Sequence, residues 1–156
     1  MIRAALVERP IDVGAILREV ADSGCGATSL FVGTVRDVND GRAVEGIDYE
    51  AYRPMAVREL SAIVKAAAGQ FGVPHLVAEH RIGSMAVGDV SVAIAASHAH
   101  RASALDATRH VIEEIKRRAP IWKREHYADG TREWVDPANA AGSAGPAAKA
   151  VGVAEP

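Results

Sequence analysis

Apolar residues along this chain follow two alternating rhythms. Residues 2–8 (IRAALVE) predict a short strand, and residues 12–22 (DVGAILREVAD) fit a helix with Asp12 as its N-cap. SGCGA is a turn. The nearly continuous run at 27–36 (ATSLFVGTVR) predicts an inner strand, and DVNDG at 37–41 a loop. Residues 43–52 (AVEGIDYEAY) alternate as a strand, after which Pro54 opens a helix reaching about Gln70. Residues 75–82 and 89–97 predict two strands joined hairpin-fashion by GSMAVG. The strongest helical pattern covers 101–118, with Leu105, Thr108, Ile112 and Ile115 as its buried stripe. Pro120 ends it, because the residue before proline avoids the helical region. IWKREHY and TREWVD flank ADG, an Asp-Gly hairpin signal. From 137 onward the chain is Ala/Gly/Pro-rich and predicts a disordered tail. One domain at 1–136 is therefore expected, with a tail at 137–156. The order β-α-β-β-α-β-β-α-β-β predicts an α+β fold with a largely antiparallel or mixed sheet and three main helices.

Composition narrows the classes. A length of 156 residues suits one domain with a real core. The net charge of −2 gives no global basic field for nucleic acid or an anionic membrane, so any anion site must be local. MIRAALVERPID lacks the long apolar core of a signal peptide, and no run approaches the ~18 apolar residues of a spanning helix. A cytoplasmic protein is the expectation. The single cysteine, Cys25, argues against an intrachain disulfide and against any cysteine-based zinc site. His98 and His100 alternate at a strand end, but no third ligand at suitable spacing accompanies them, so no metal is expected.

Chemistry concentrates in EEIKRRAPIWKRE (113–125), where Lys116 and Lys123 bracket Pro120 and Trp122. On a helical wheel Lys116 falls roughly 40° from Ile112 and roughly 20° from Leu105, on or beside the apolar face. Such a lysine either snorkels outward and complements the helix C-terminal dipole, or occupies a site. In the following strand Ile121, Lys123, Glu125 and Tyr127 share one face, opposite Trp122, Arg124 and His126. A short turn lets both amines reach one pocket. Two close, partly buried ammonium groups lower each other's pKa and suit a lysine to nucleophilic or acid–base work.

Two further cationic clusters stand out. His100 and Arg101 in SHAHRASA (97–104) sit at the start of the long helix, where free N–H groups favour an anion. Arg36 ends FVGTVR beside the glycine-containing loop. Arg101 and Lys116 are fifteen residues apart on one helix, or ~22 Å at 1.5 Å per residue. If both serve one small ligand, the His100–Arg101 pair must come from a second copy, which predicts a homodimer with composite sites. Cys25, within GCG, is expected to be a turn residue without catalytic use.

The motifs FVGTVRDVNDG (31–41), YEAYRPMA (49–56), HRIGSMAVGD (80–89), SHAHRASA (97–104) and IKRRAPIWKRE (115–125), with WV at 134–135, occur in order over residues 28–135. Together they resemble the large, catalytic subunit family of molybdopterin synthase. The resemblance implies an α/β-hammerhead-type fold and a homodimeric core. It further implies a small ubiquitin-like sulfur-carrier subunit at each end, whose C-terminal Gly-Gly thiocarboxylate enters the active site of a heterotetramer. The implied substrate is cyclic pyranopterin monophosphate (precursor Z), which receives two sulfurs, and no resident cofactor is implied. Lys116 and Lys123 match the catalytic pair. Arg36, His100 and Arg101 match substrate-binding positions, the latter two supplied across the dimer. Thr34, Val35, Arg124 and Glu125 match positions lining the pocket. Two other classes compete: an anion- or nucleic-acid-binding module using the basic residues at 116–124, and a non-catalytic dimeric scaffold. A lysine on an apolar face argues against both.

Overall fold

The structure is a computed structural model and describes residues 1–135; the expected tail at 137–156 lies outside the described residues. It is α+β, with three helices and two sheets. The elements are β1 (Ile2–Val7), α1 (Val13–Val20), β2 (Ala27–Thr34), β3 (Val38–Asn39), β4 (Arg42–Ala51), α2 (Arg53–Phe71), β5 (His75–Arg81), β6 (Gly83–Ala86), β7 (Val90–His98), α3 (Arg101–Arg118), β8 (Ile121–Tyr127) and β9 (Arg132–Val135).

The first sheet runs β1-β5-β7-β2, with β1 and β5 parallel and the other pairs antiparallel. Its central strand, β7, is apolar along nearly its whole length because both faces are covered. Val92, Ile94 and Ala96 pack with Leu60, Ile63 and Val64 of α2 and Val111 and Ile115 of α3. The intervening Ala93 and Ala95 meet Ile16 and Val20 of α1 on the other face. Fully burying a side chain such as Leu60 or Ile94 contributes about 1.5–3 kcal/mol, so this two-sided layer is the rigid frame of the molecule. Asp12 caps α1 as expected, its carboxylate accepting from the Ala15 N–H at 2.9 Å. Gly72 closes α2 in the left-handed region, at φ 64°.

The second sheet holds β3, β4, β8 and β9 in that order, with β6 also paired to β4. Its inner face carries Val44, Ile47, Tyr49, Met85, Ile121 and Tyr127.

The structure corrects four expectations. The segment 27–36 does not yield an inner strand: β2 is the edge of the first sheet, with Leu30 and Phe31 exposed, because no further strand among the described residues covers it. The segment 37–41 is not wholly loop, since Val38–Asn39 form β3 and turn back through Asp40 and Gly41, both at positive φ, as a tight primed turn requires. GSMA is not merely a connection between β5 and β7: it forms β6 and pairs with β4. Gly46 permits that approach, because a Cβ there would lie 2.9 Å from the Met85 carbonyl oxygen. Finally, the buried stripe of α3 is Ala104, Ala107, Thr108, Val111 and Ile115, while Leu105 is 56% exposed and Ile112 half-buried. Small side chains face the sheet because the helix packs close to it, and the Thr108 hydroxyl meets Ser29 of β2 at 2.7 Å.

Candidate functional site

The two sheets meet at a pocket of about 160 Å³. Gly33, Thr34, Val35 and Arg36 enter from the end of β2, Asn39 from β3, Ile47 and Tyr49 from β4, and Ser91 and Val92 from β7. Ile112 and Lys116 line it from α3, and Lys123 and Glu125 from β8. The chain reversal expected at Pro120 joins the last two walls. The Ala119 N–H closes α3 on the Ile115 carbonyl at 3.0 Å, and the chain then extends into β8, which lies antiparallel to β4. There Lys123 stands opposite Tyr49, and Glu125 opposite Ile47.

The pocket's electrostatics are uneven. Lys116 is half-buried, and desolvation, reinforced by the charges of Lys123 and Arg36, pushes its amine down to about 8. Lys123 instead has a partner, its Nζ lying 3.0 Å from Glu125 Oε1. Glu125 is 3% exposed. Burial alone would raise its carboxyl, but the Lys123 charge and hydrogen bonds from Tyr127, Lys123 and Asn39 outweigh that and hold it below its ordinary value. Burial, with the Glu125 carboxylate beside it, pushes the Tyr127 hydroxyl up to about 12. Behind the pocket His80 is buried, donates Nδ1–H to the Arg81 carbonyl at 2.9 Å and meets Tyr49 edge-on at 5.0 Å. Burial, aided by the Lys116 charge, lowers it to about 4, so it is a neutral imidazole at physiological pH.

Of the residues singled out by sequence, Thr34, Val35, Arg36, Lys116, Lys123 and Glu125 come together here. Arg124 does not. It lies on the outer face of β8, donating to Asp48 at 3.0 Å beside His126, which meets the same carboxylate at 2.7 Å, with its guanidinium over Trp134. His100 and Arg101 are exposed at the start of α3 and are not among the lining residues. His100 is the N-cap without a side-chain capping bond, and its backbone N–H donates to His98 Nδ1 at 2.9 Å. Cys25 occupies the turn after α1. No role for Asn39, Tyr49, His80 or Tyr127 was legible in the sequence, although all four lie in or beside its distinctive motifs and the two-residue period already puts Tyr127 on the face of Lys123.

Comparison with known proteins identifies the family. The MoaE protein family model matches residues 6–118. The chain is 43% identical over 127 residues to the molybdopterin synthase catalytic subunit of Culex quinquefasciatus, covering 80% of this chain and 81% of that protein. It is 44% identical over 131 residues to the subunit of the same name from Drosophila melanogaster, covering 83% of this chain; it spans only 36%, about a third, of that relative's length. Among solved structures, molybdopterin synthase from Staphylococcus aureus superposes with a TM-score of 0.78 at 34% identity, covering 83% of this chain and 94% of that one. Motif order, fold and family match lead to one conclusion: this chain belongs to the MoaE protein family, and it is similar to catalytic subunits of molybdopterin synthase.

Proposed function

We propose that this chain is the catalytic subunit of a sulfurtransferase of molybdenum cofactor biosynthesis. It takes sulfur from the C-terminal Gly-Gly thiocarboxylate of a small ubiquitin-like sulfur-carrier subunit. It delivers that sulfur to cyclic pyranopterin monophosphate (precursor Z), and two such additions give the dithiolene of molybdopterin. The observation that carries this reading is the lysine pair: an amine lowered to about 8 and an amine held by a buried carboxylate share one pocket. Lys116 takes the leading role, as nucleophile or proton-transfer group. Lys123 orients the anionic thiocarboxylate or stabilises developing negative charge. A phosphate-bearing substrate needs local cations rather than a basic protein, and Arg36 at the pocket meets that need.

His100 and Arg101 act in this reading from a second copy of the chain, because the length of α3 separates them from Lys116. The exposed apolar residues Leu30, Phe31 and Leu105, on the adjoining β2 and α3, favour such a homodimer at the core of a heterotetramer. Thr34, Val35 and Glu125 complete the binding wall, whereas Arg124 belongs to the Asp48 cluster on the other face. No helix among the described residues is long and apolar enough to cross a membrane. A cytoplasmic location is part of the proposal.

The test is reconstitution. The purified chain is mixed with thiocarboxylated carrier and precursor Z, and molybdopterin is quantified as its fluorescent oxidation product. Product that requires both partners supports the reading. No product from a folded chain that still binds the carrier supports a scaffold instead.

A further inference from the structure

Glu125 is shared by two hairpins. Its Oε2 accepts from Asn39 Nδ2 at 2.7 Å and from the Tyr127 hydroxyl at 2.6 Å, while its Oε1 faces Lys123 Nζ at 3.0 Å. Asn39 comes from the β3–β4 hairpin, whose primed turn at Asp40–Gly41 fixes Asn39 opposite Arg42. Tyr127 comes from the end of β8, before the turn into β9. Its buried ring lies under the Arg42 guanidinium, 3.5 Å from the ring centroid. Arg42 is itself held by Glu133 at 3.0 Å and the Thr131 hydroxyl at 2.6 Å.

We propose that Asn39 and Tyr127 are positioning residues for Lys123, acting through the Glu125 carboxylate. The inference rests on the assignment of Lys123 to the reaction. A lysine side chain has four rotatable bonds and a compact charge that can settle in many places, so its position depends on what holds the ammonium. A buried carboxylate serves only if it is itself fixed. Here the two donors on Oε2 are neutral, so they lock the carboxylate while leaving its charge for Lys123. An arginine in their place would compete for that charge. Other charged or titratable groups around Glu125 are few. Tyr127 and Lys123 are its own strand neighbours, Tyr49 on the paired β4 lines the same pocket and feels its charge, Glu133 stands opposite on β9 but is engaged by Arg42, and Lys116 and Arg36 also line the pocket.

The test measures Asn39→Ala, Asn39→Asp and Tyr127→Phe in the reconstituted complex, beside Lys123→Ala, and follows the Glu125 carboxyl titration by 13C NMR. Asn39→Ala and Tyr127→Phe should each lower kcat roughly tenfold, the effect of losing one hydrogen bond to a charged group, with KM within about twofold. The Glu125 midpoint should move upward in both. Asn39→Asp, nearly isosteric, should be worse than Asn39→Ala, because it sets a second carboxylate against Glu125; a packing role would predict the reverse order. Asn39 lies on a half-exposed hairpin, which keeps the test independent of any folding defect in Tyr127→Phe. Unchanged kcat in Asn39→Ala and Tyr127→Phe beside an inactive Lys123→Ala would overturn the positioning role alone, as would an unmoved Glu125 titration. Full activity in Lys123→Ala would remove the assignment on which it rests.

Discussion

Lys123 Nζ sits 3.0 Å from Glu125 Oε1, whereas Lys116, lining the same pocket from α3, forms no ion pair with any carboxylate among the described residues. The two amines are therefore unequal. One cation is compensated and held in place. The other faces burial and two like charges, Lys123 and Arg36, without compensation. Under the proposed function that inequality divides the chemistry, with Lys116 suited to exchanging a proton or forming a bond and Lys123 to supplying a fixed positive charge.

A pH dependence follows. With Lys116 lowered to about 8, its neutral fraction rises as pH passes through that value. If the free amine is the reacting form, single-turnover rates should climb about tenfold per pH unit below this point and level above it. Stability has a matching sign. The unfolded chain holds the proton up to the ordinary value of 10.5, so folding becomes more favourable as pH rises from about 8 toward 10.5. Denaturant titrations at pH 7.5 and 10 should show this gain in the parent but not in Lys116→Met.

The separation of Arg101 from Lys116 along α3 predicts complementation. Lys116→Ala and Arg101→Ala should each be nearly inactive alone. Refolded together, they should recover up to about a quarter of parent activity, because half the randomly formed dimers carry one intact composite site of two. Recovery measured against each variant alone decides the point.

Gly46→Ala tests the junction between β4 and β6. The added methyl would meet the Met85 carbonyl oxygen at 2.9 Å, and a backbone atom in a paired strand has little room to yield. A loss of about 1–3 kcal/mol, the usual cost of overpacking, is expected in urea unfolding.

Cys25 lies in the turn after α1 and is not among the residues lining the pocket. Under the proposed function sulfur arrives on the carrier subunit, so Cys25→Ala should keep sulfur transfer within about twofold of the parent, as for a surface substitution away from a site. Loss of transfer in a folded variant would place the cysteine in the chemistry.

Local rules made much of this site legible. The bounds of α3, the stop at Pro120 and the two-residue alternation of 121–127 put Lys116 at one wall and Lys123 and Glu125 at the next, with Tyr127 on the same strand face. Pairing across long separations was not legible. Asn39 reaches Glu125 across 86 residues, and β6 joins β4 rather than remaining a loop, relations that no periodicity encodes. Leu105 misled for another reason. A wheel gives the direction of an apolar stripe but not the closeness of the sheet, and here the close side takes Ala104 and Ala107, leaving leucine outside. The edge position of β2 was hidden in the same way, since exposed apolar residues at a sheet edge look in sequence like those of an inner strand.

The most direct test of the central claim is single-turnover sulfur transfer by Lys116→Ala in complex with the thiocarboxylated carrier, with carrier affinity measured in parallel. The account predicts near-complete loss of molybdopterin, of the order of a hundredfold or more for a group acting in proton transfer, at unchanged carrier affinity. Transfer at the parent rate by a folded, carrier-bound Lys116→Ala complex would contradict it and return both lysines to the role of a basic patch.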